Sequence, residues 1–154
     1  MLHIRRAETQ QDLAEVRNLW TEYWETLELP LTFQGFGEQL LGLPGEFAPP
    51  AGLLLLAMNG KDAAGTIAFR PLNRESCEAK RLYVRARFRG AGLGRKLLAA
   101  AIENARGAGY KTMYGDTLIT MHQAAQLYES IGFVRVDAYS PDPTPGAIYL
   151  KLAL

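Results

Sequence analysis

The sequence predicts an α/β (α+β) domain, a mixed β-sheet with helices packed on it. Three observations lead there. Two apolar strands are joined across Asn59-Gly60; the chain then alternates strand, helix, strand, helix, strand; and each helical stretch repeats its apolar residues at intervals of three and four. With 154 residues, 48% of them hydrophobic, residues 1–154 hold material for one substantial core and are short for two, so a single domain is expected.

Taken in order, a short apolar start (Leu2, Ile4) leads to Thr9 and Asp12. These supply the N-cap and acidic first turn of a helix that carries Leu13, Val16, Leu19, Trp20, Tyr23, Trp24 and Leu27 on one face. A weaker helix is expected between Phe33 and Leu43, stopping near Pro44-Gly45, and Pro49-Pro50 breaks the chain before the next strand. Leu53 to Met58 reads as a buried strand. Thr66 to Phe69 is its hairpin partner across Asn59-Gly60, two residues that tolerate positive φ.

Cys77 to Val84 is the next strand and runs into RFRGAGLGRKLL, residues 87–98. Beyond it, Leu93, Leu97, Leu98, Ala101, Ile102 and Ala105 form a helical stripe closed by Gly107 and Gly109. Lys111 to Thr117 reads as a strand, Met121 to Ile131 as a helix ended by Gly132, and Phe133 to Tyr139 as a strand. After the breaker-rich SPDPTPG, Ala147 to Leu154 alternates as the last strand. One conflict stands out: in an unbroken strand, Glu78, Lys80, Leu82 and Val84 share a face, which mixes charges with core residues unless a bulge intervenes.

Lysine and arginine total 17 against 16 acidic residues, so the field of the whole molecule argues against a nucleic-acid or membrane partner. The single cysteine, Cys77, excludes an internal disulfide, leaves no cluster with metal spacing, and reads as a small buried apolar residue suited to a reducing cytoplasm. The N-terminal MLHIRRAETQQ lacks the apolar core of a signal peptide, and Leu53–Met58 is too short to cross a bilayer. A cytoplasmic protein that needs no metal is the expectation.

The glycine-rich turn carries the chemistry. A turn between a strand and a helix start presents unpaired N–H groups beside the positive end of the helix dipole, and glycines let a ligand's oxygens approach them. Arg89 adds a fixed positive charge, and Arg95 and Lys96 come next. The spacing of Gly90, Gly92 and Gly94 is neither G-x-G-x-x-G nor a Walker A loop. The pattern is Arg-x-x-Gly-x-Gly, a phosphate-binding design; the alternative is a tight turn whose glycines only let the helix pack closely.

CEAKRLYVRARFRGAGLGRKLL, residues 77–98, resembles the central motif of the GNAT superfamily of acetyl-CoA-dependent N-acetyltransferases, and AAQLYESIGF, residues 124–133, is similar to that family's Leu-Tyr-x-x-x-Gly-Phe segment. The order of elements along nearly the whole chain also fits. The resemblance implies a mixed, mostly antiparallel central sheet flanked by helices on both faces. It implies acetyl-CoA as co-substrate, with Leu82, Tyr83 and Val84 offering backbone groups to the pantetheine arm. Arg89, Gly90, Ala91, Gly92, Leu93, Gly94 and Arg95 would surround the pyrophosphate. It leaves a homodimer open.

Acetyl transfer to an amine needs a deprotonated nucleophile, a polarised carbonyl and a proton for the departing thiolate. By resemblance, Tyr128 is the general acid. Glu78, eleven residues before Arg89, stands where the histone-modifying branch places its glutamate base; the alternative is a strand-end carboxylate paired with Lys80 or Arg81. Relatives often carry asparagine seven residues before the tyrosine, and Met121 stands there instead. His122 and His3 read as solvated surface residues. On the acceptor side the resemblance brings in Arg70, Arg81, Trp24 and Tyr139, with Trp20, Phe33, Phe36 and Tyr149 behind them. Arg70 or Arg81 is suited to an acceptor carboxylate, although most of these aromatics are core residues by ordinary expectation. The function expected is acetyl transfer from acetyl-CoA to a primary amine of a small molecule or peptide by direct attack. A non-catalytic acyl-CoA-binding module, a transferase using another acyl-CoA, and a purely structural domain are the alternatives.

Overall fold

The computed structural model describes residues 1–32, 35–139 and 145–154. Among them, seven strands form one sheet. The strands are β1 (Leu2–Arg6), β2 (Leu53–Asn59), β3 (Asp62–Pro71), β4 (Ser76–Val84), β5 (Thr112–Leu118), β6 (Val134–Val136) and β7 (Ala147–Ala153), in the order β1-β2-β3-β4-β5-β7-β6. Only β4 and β5 run parallel; every other neighbouring pair is antiparallel. The expected mixed, mostly antiparallel sheet is therefore what forms.

Four helices cover its two faces: α1 (Gln10–Leu27), α2 (Phe36–Leu41), α3 (Leu93–Gly107) and α4 (His122–Ile131). Alternation along β2 decides which side chain goes where. Leu53, Leu55 and Ala57 join the stripe of α3, with Tyr128 of α4 and Phe133, in one core. Leu54, Leu56 and Met58 join Val16, Leu19, Trp20 and Trp24 of α1 in the other. A capping box starts α1: the Thr9 hydroxyl accepts from the Asp12 N–H at 3.0 Å, and the Asp12 carboxylate accepts from the Thr9 N–H at 3.3 Å.

Three boundaries differ from expectation for local reasons. The second helix spans only Phe36–Leu41, after Gly35 at φ +67°, with a 3₁₀ turn at Gly45–Phe47; Phe33, its expected start, lies outside the described residues. The hairpin turn is Gly60-Lys61 rather than Asn59-Gly60, because Asn59 already pairs with Asp62. Strand β6 stops at Val136, and the segment after it carries Tyr139 across to Glu78, so the expected strand to Tyr139 is not formed. Part of the SPDPTPG connection, residues 140–144, also lies outside the described residues.

The parity conflict in β4 is resolved by a bulge. Lys80 pairs with Ala68 and Tyr83 with Thr66, so Arg81 and Leu82 together oppose Ile67 alone, and Arg81 takes φ +61°. Before the bulge, Cys77 and Ala79 face α3; after it, Leu82 and Val84 do so. Glu78 and Lys80 are thereby released from the apolar face.

Candidate active site

Strand β4 pairs with β5 from Ser76↔Thr112 to Ala79↔Gly115 and then parts from it. From Lys80 to Val84, the edge of β4 that faced β5 has no strand partner among the described residues, so the sheet opens into a slit. Beside it lies a cleft of about 530 Å³, whose lining includes Leu82, Tyr83, Val84, Arg89, Met121 and His122. Three of the residues expected to meet a pantetheine arm, Leu82 to Val84, therefore line a real groove.

The glycine turn lies beyond the end of β4. Gly90 and Gly92 take φ +87° and +79°, a region costly for residues with a Cβ, and Gly92 caps α3 without any side-chain hydrogen bond. The first intrahelical bond runs from the Lys96 N–H to the Gly92 carbonyl, leaving the amides of Leu93, Gly94 and Arg95 at the positive end of the helix without intrahelical partners. A Cβ on Gly94 would meet Leu127 only at an ordinary 3.4 Å. Packing thus does not demand glycine at position 94. Arg89 folds its Nε onto the Val84 carbonyl at 2.8 Å, and Arg95 reaches Ser130 of α4 at 2.6 Å. Both cations remain exposed beside the turn.

Tyr128 stands where the strands part. Its ring lies beside Gly115 and meets the Phe133 ring edge-on, with centroids 4.9 Å apart, and the residue is buried. Burial, reinforced by Tyr23, Asp116 and Glu78, raises its phenol well above the usual 10, so it keeps its proton throughout the neutral range.

Glu78 is buried, and both carboxylate oxygens are engaged. Arg70 Nε donates to Oε1 at 2.9 Å, the Tyr139 hydroxyl donates to Oε2 at 2.5 Å, and Lys80 Nζ lies 3.6 Å from Oε1. Lys80, itself buried, also lies 3.6 Å from Asp116. Burial opposes the charge on Arg70, but Glu78 and Glu46 outweigh it and raise its pKa; Tyr139 is raised by burial and by the Glu78 carboxylate. Arg70 and Tyr139 are thereby the immediate partners of Glu78.

Trp24 stacks on Phe36, centroids 4.0 Å apart, with the Arg81 guanidinium 4.9 Å above its ring, while Trp20 and Phe36 are core. Tyr149 packs against Tyr139 at 5.2 Å. Asp116, Thr117 and Tyr23 come to this region without any signal in the sequence, because it is the pairing of elements distant in the chain that brings them together. Met121, at the position of the missing asparagine, lines the cleft and accepts a hydrogen bond from Tyr23 at 3.7 Å through sulfur.

Comparison with known proteins agrees with this architecture. The chain is 34% identical over 155 residues to an uncharacterized N-acetyltransferase of Schizosaccharomyces pombe, covering 99% of this chain and 95% of the relative. Its fold matches the crystal structure of an acetyltransferase from Streptococcus agalactiae, with TM-score 0.83 and 20% identity over 99% of this chain and 98% of that one. It also matches an acetyltransferase from Salmonella typhimurium solved with acetyl-CoA, with TM-score 0.71 and 21% identity over 99% and 93% of the two chains. Residues 13–133 match the acetyltransferase (GNAT) family, from the core of α1 through the glycine turn and Tyr128 to Phe133, and the chain belongs to that family.

Proposed function

We propose that this protein transfers the acetyl group of acetyl-CoA to a primary amine by direct attack, with Tyr128 as general acid and Glu78 as general base. The observation that carries this reading is the slit between β4 and β5, with Tyr128 at its closed end beside Gly115 and the glycine-capped start of α3 beyond its open end. The backbone from Gly90 to Arg95, with Arg89 beside it, holds the pyrophosphate; Leu82 to Val84 line the path of the pantetheine arm. Acetyl-CoA in the Salmonella structure supports this donor.

The amine nitrogen attacks the thioester carbon, the carbon–sulfur bond breaks, and the sulfur takes a proton from Tyr128. A phenol raised above 10 is a weaker acid than a thiol near ~8.5, so moving its proton to the departing thiolate is uphill, and Tyr128 recovers the proton from solvent as the CoA thiol leaves. Tyr128 therefore acts by hydrogen-bonding the charge that develops on sulfur and donating as the bond breaks. The proton of the amine goes to Glu78, whose Oε2 already receives the Tyr139 hydroxyl; that hydroxyl both accepts and donates, and relays it.

Calorimetric titration with acetyl-CoA, then detection of CoA thiol released with amines, tests this reading. Tyr128→Phe is expected to leave acetyl-CoA binding unchanged and lower kcat by roughly 10²-fold or more. An unchanged kcat removes Tyr128 from the acid role. Failure of the native protein to bind acetyl-CoA overturns the whole assignment.

A further inference from the structure

Arg81 occupies a place that its own chemistry disfavours. The residue is 7% exposed, its guanidinium lies over the rings of Trp24 and Phe36 at 4.9 and 5.2 Å, and its hydrogen-bond partner is the neutral Gln39 Oε1 at 2.7 Å. Asp116 and Glu78 act on its charge through space, and its Nε has no hydrogen-bond partner among the described residues. Rings, an amide and the more distant carboxylates soften the charge, but a buried donor left without an acceptor is destabilising. Burial accordingly lowers its pKa.

A second orphan lies close by. Thr117 on β5 is 8% exposed, and its hydroxyl also lacks a partner among the described residues. Arg81 and Thr117 line one cavity of about 40 Å³, together with Lys80 and Asp116. A third unpartnered atom, Trp20 Nε1, is outside that lining. Such a space admits water or one small polar group. Lys80 lies there 3.6 Å from both Glu78 and Asp116, and the same two carboxylates act on Arg81 through space, while its Nε stays without a hydrogen-bond acceptor.

The backbone points the same way. In an unbroken strand Arg81 would fall on the face of Cys77 and Ala79, against α3; the bulge carries it to the side of Trp24. That placement holds a non-glycine residue at φ +61°, a conformation seldom kept unless its surroundings require it. Tyr23 and Met121 line both this cavity and the cleft of the donor, so the two are neighbours.

We infer that this cavity receives a carboxylate of the acceptor, held by the Arg81 guanidinium and the Thr117 hydroxyl, and that the acceptor is an amino acid or a comparably small amine bearing a carboxylate. The inference rests on the amine acetyltransferase reading and narrows it. A polycationic amine would place positive charge against Arg81; a carboxylate supplies a direct counter-charge and accepts from both orphan donors.

The test compares the twenty amino acids with their carboxamides, and with spermidine, as acceptors for acetyl-CoA, reading released CoA thiol. Turnover is expected with one or more free amino acids and at least about tenfold lower kcat/KM for the matching carboxamide, the loss of a charge-assisted hydrogen bond. Arg81→Gln should raise the acceptor KM by a similar factor with the acetyl-CoA Kd unchanged, and Arg81→Lys should recover part of it. Equal use of amino acids and carboxamides, preference for spermidine, or turnover of no amino acid overturns the inference, and the comparison on the native protein stands even if the variants fail to fold. Calorimetric binding of acetyl-CoA separates the two failures: binding without amino-acid preference rejects only the carboxylate, whereas no binding rejects the transferase reading.

Discussion

Cys77 and Glu78 are neighbours on β4 with opposite fates. Cys77 faces the α3 core, fully buried, and burial pushes its thiol up to about 12. The native protein should therefore be inert to a thiol reagent at pH 8, with one thiol per chain appearing on denaturation; rapid labelling of the folded protein would show that the α3 core opens. The same inertness leaves the release of CoA thiol readable without background. Glu78 faces the other way into a lattice of Arg70, Lys80 and Tyr139. The sequence made Cys77 legible as a buried apolar residue, and it located Glu78 and Tyr128 through motif spacing. It could not reveal that both oxygens of Glu78 are engaged, nor bring Asp116 and Thr117 to the site, because those facts depend on strands distant in the chain.

At the scale of elements, α3 separates two kinds of glycine. Gly92 sits at φ +79° and caps the helix, so Gly92→Ala is expected to cost about 1 kcal/mol through backbone strain alone. Gly94 lies inside the first turn with ordinary space for a Cβ, so Gly94→Ala should leave the melting temperature unchanged or slightly raised while weakening acetyl-CoA affinity. Thermal denaturation and calorimetry on both variants check this; undiminished affinity in Gly94→Ala would return the glycine to a packing role. Helices with strong periodicity, α1 and α3, were readable nearly to their ends. So was α4, expected from Met121 to Ile131 and found at His122–Ile131; α2 and β6 were not, since β6 ends where Tyr139 turns toward Glu78, and α2 is held by tertiary burial of Phe36 rather than by a long stripe. The bulge was legible only as a conflict of parity; that it falls at Arg81 emerged from the pairing of β3 with β4.

For the whole molecule, a mixed sheet with helices packed on it was legible from element order and alternation, and helices on both faces only through the family resemblance, whereas the near-neutral overall charge concealed a strongly charged interior. Several tyrosines surround that interior: burial raises Tyr23 to about 12 and pushes Tyr128 and Tyr139 in the same direction. Unfolded tyrosine ionises near ~10, so above that pH the unfolded chain sheds protons that the folded chain retains, and stability falls as pH rises from about 10 to 12. Below pH ~10 these phenols are protonated in both states and contribute no pH dependence. A phenolate absorbance titration alongside circular dichroism should show some of the seven tyrosines ionising only with unfolding; all seven titrating near 10 in the folded protein would contradict these shifts. The parting of β4 from β5 has a mechanical consequence as well. Strands β1 to β4 and β5 to β7 form two plates joined by four residue pairs, and the unpaired rim of β4 is an edge turned inward rather than out to the solvent. An outer edge invites any passing strand, but this one lies between the two plates beside the cleft. Occupied, it would serve as a rung between the plates, so donor affinity and the cohesion of the fold are two measures of one joint.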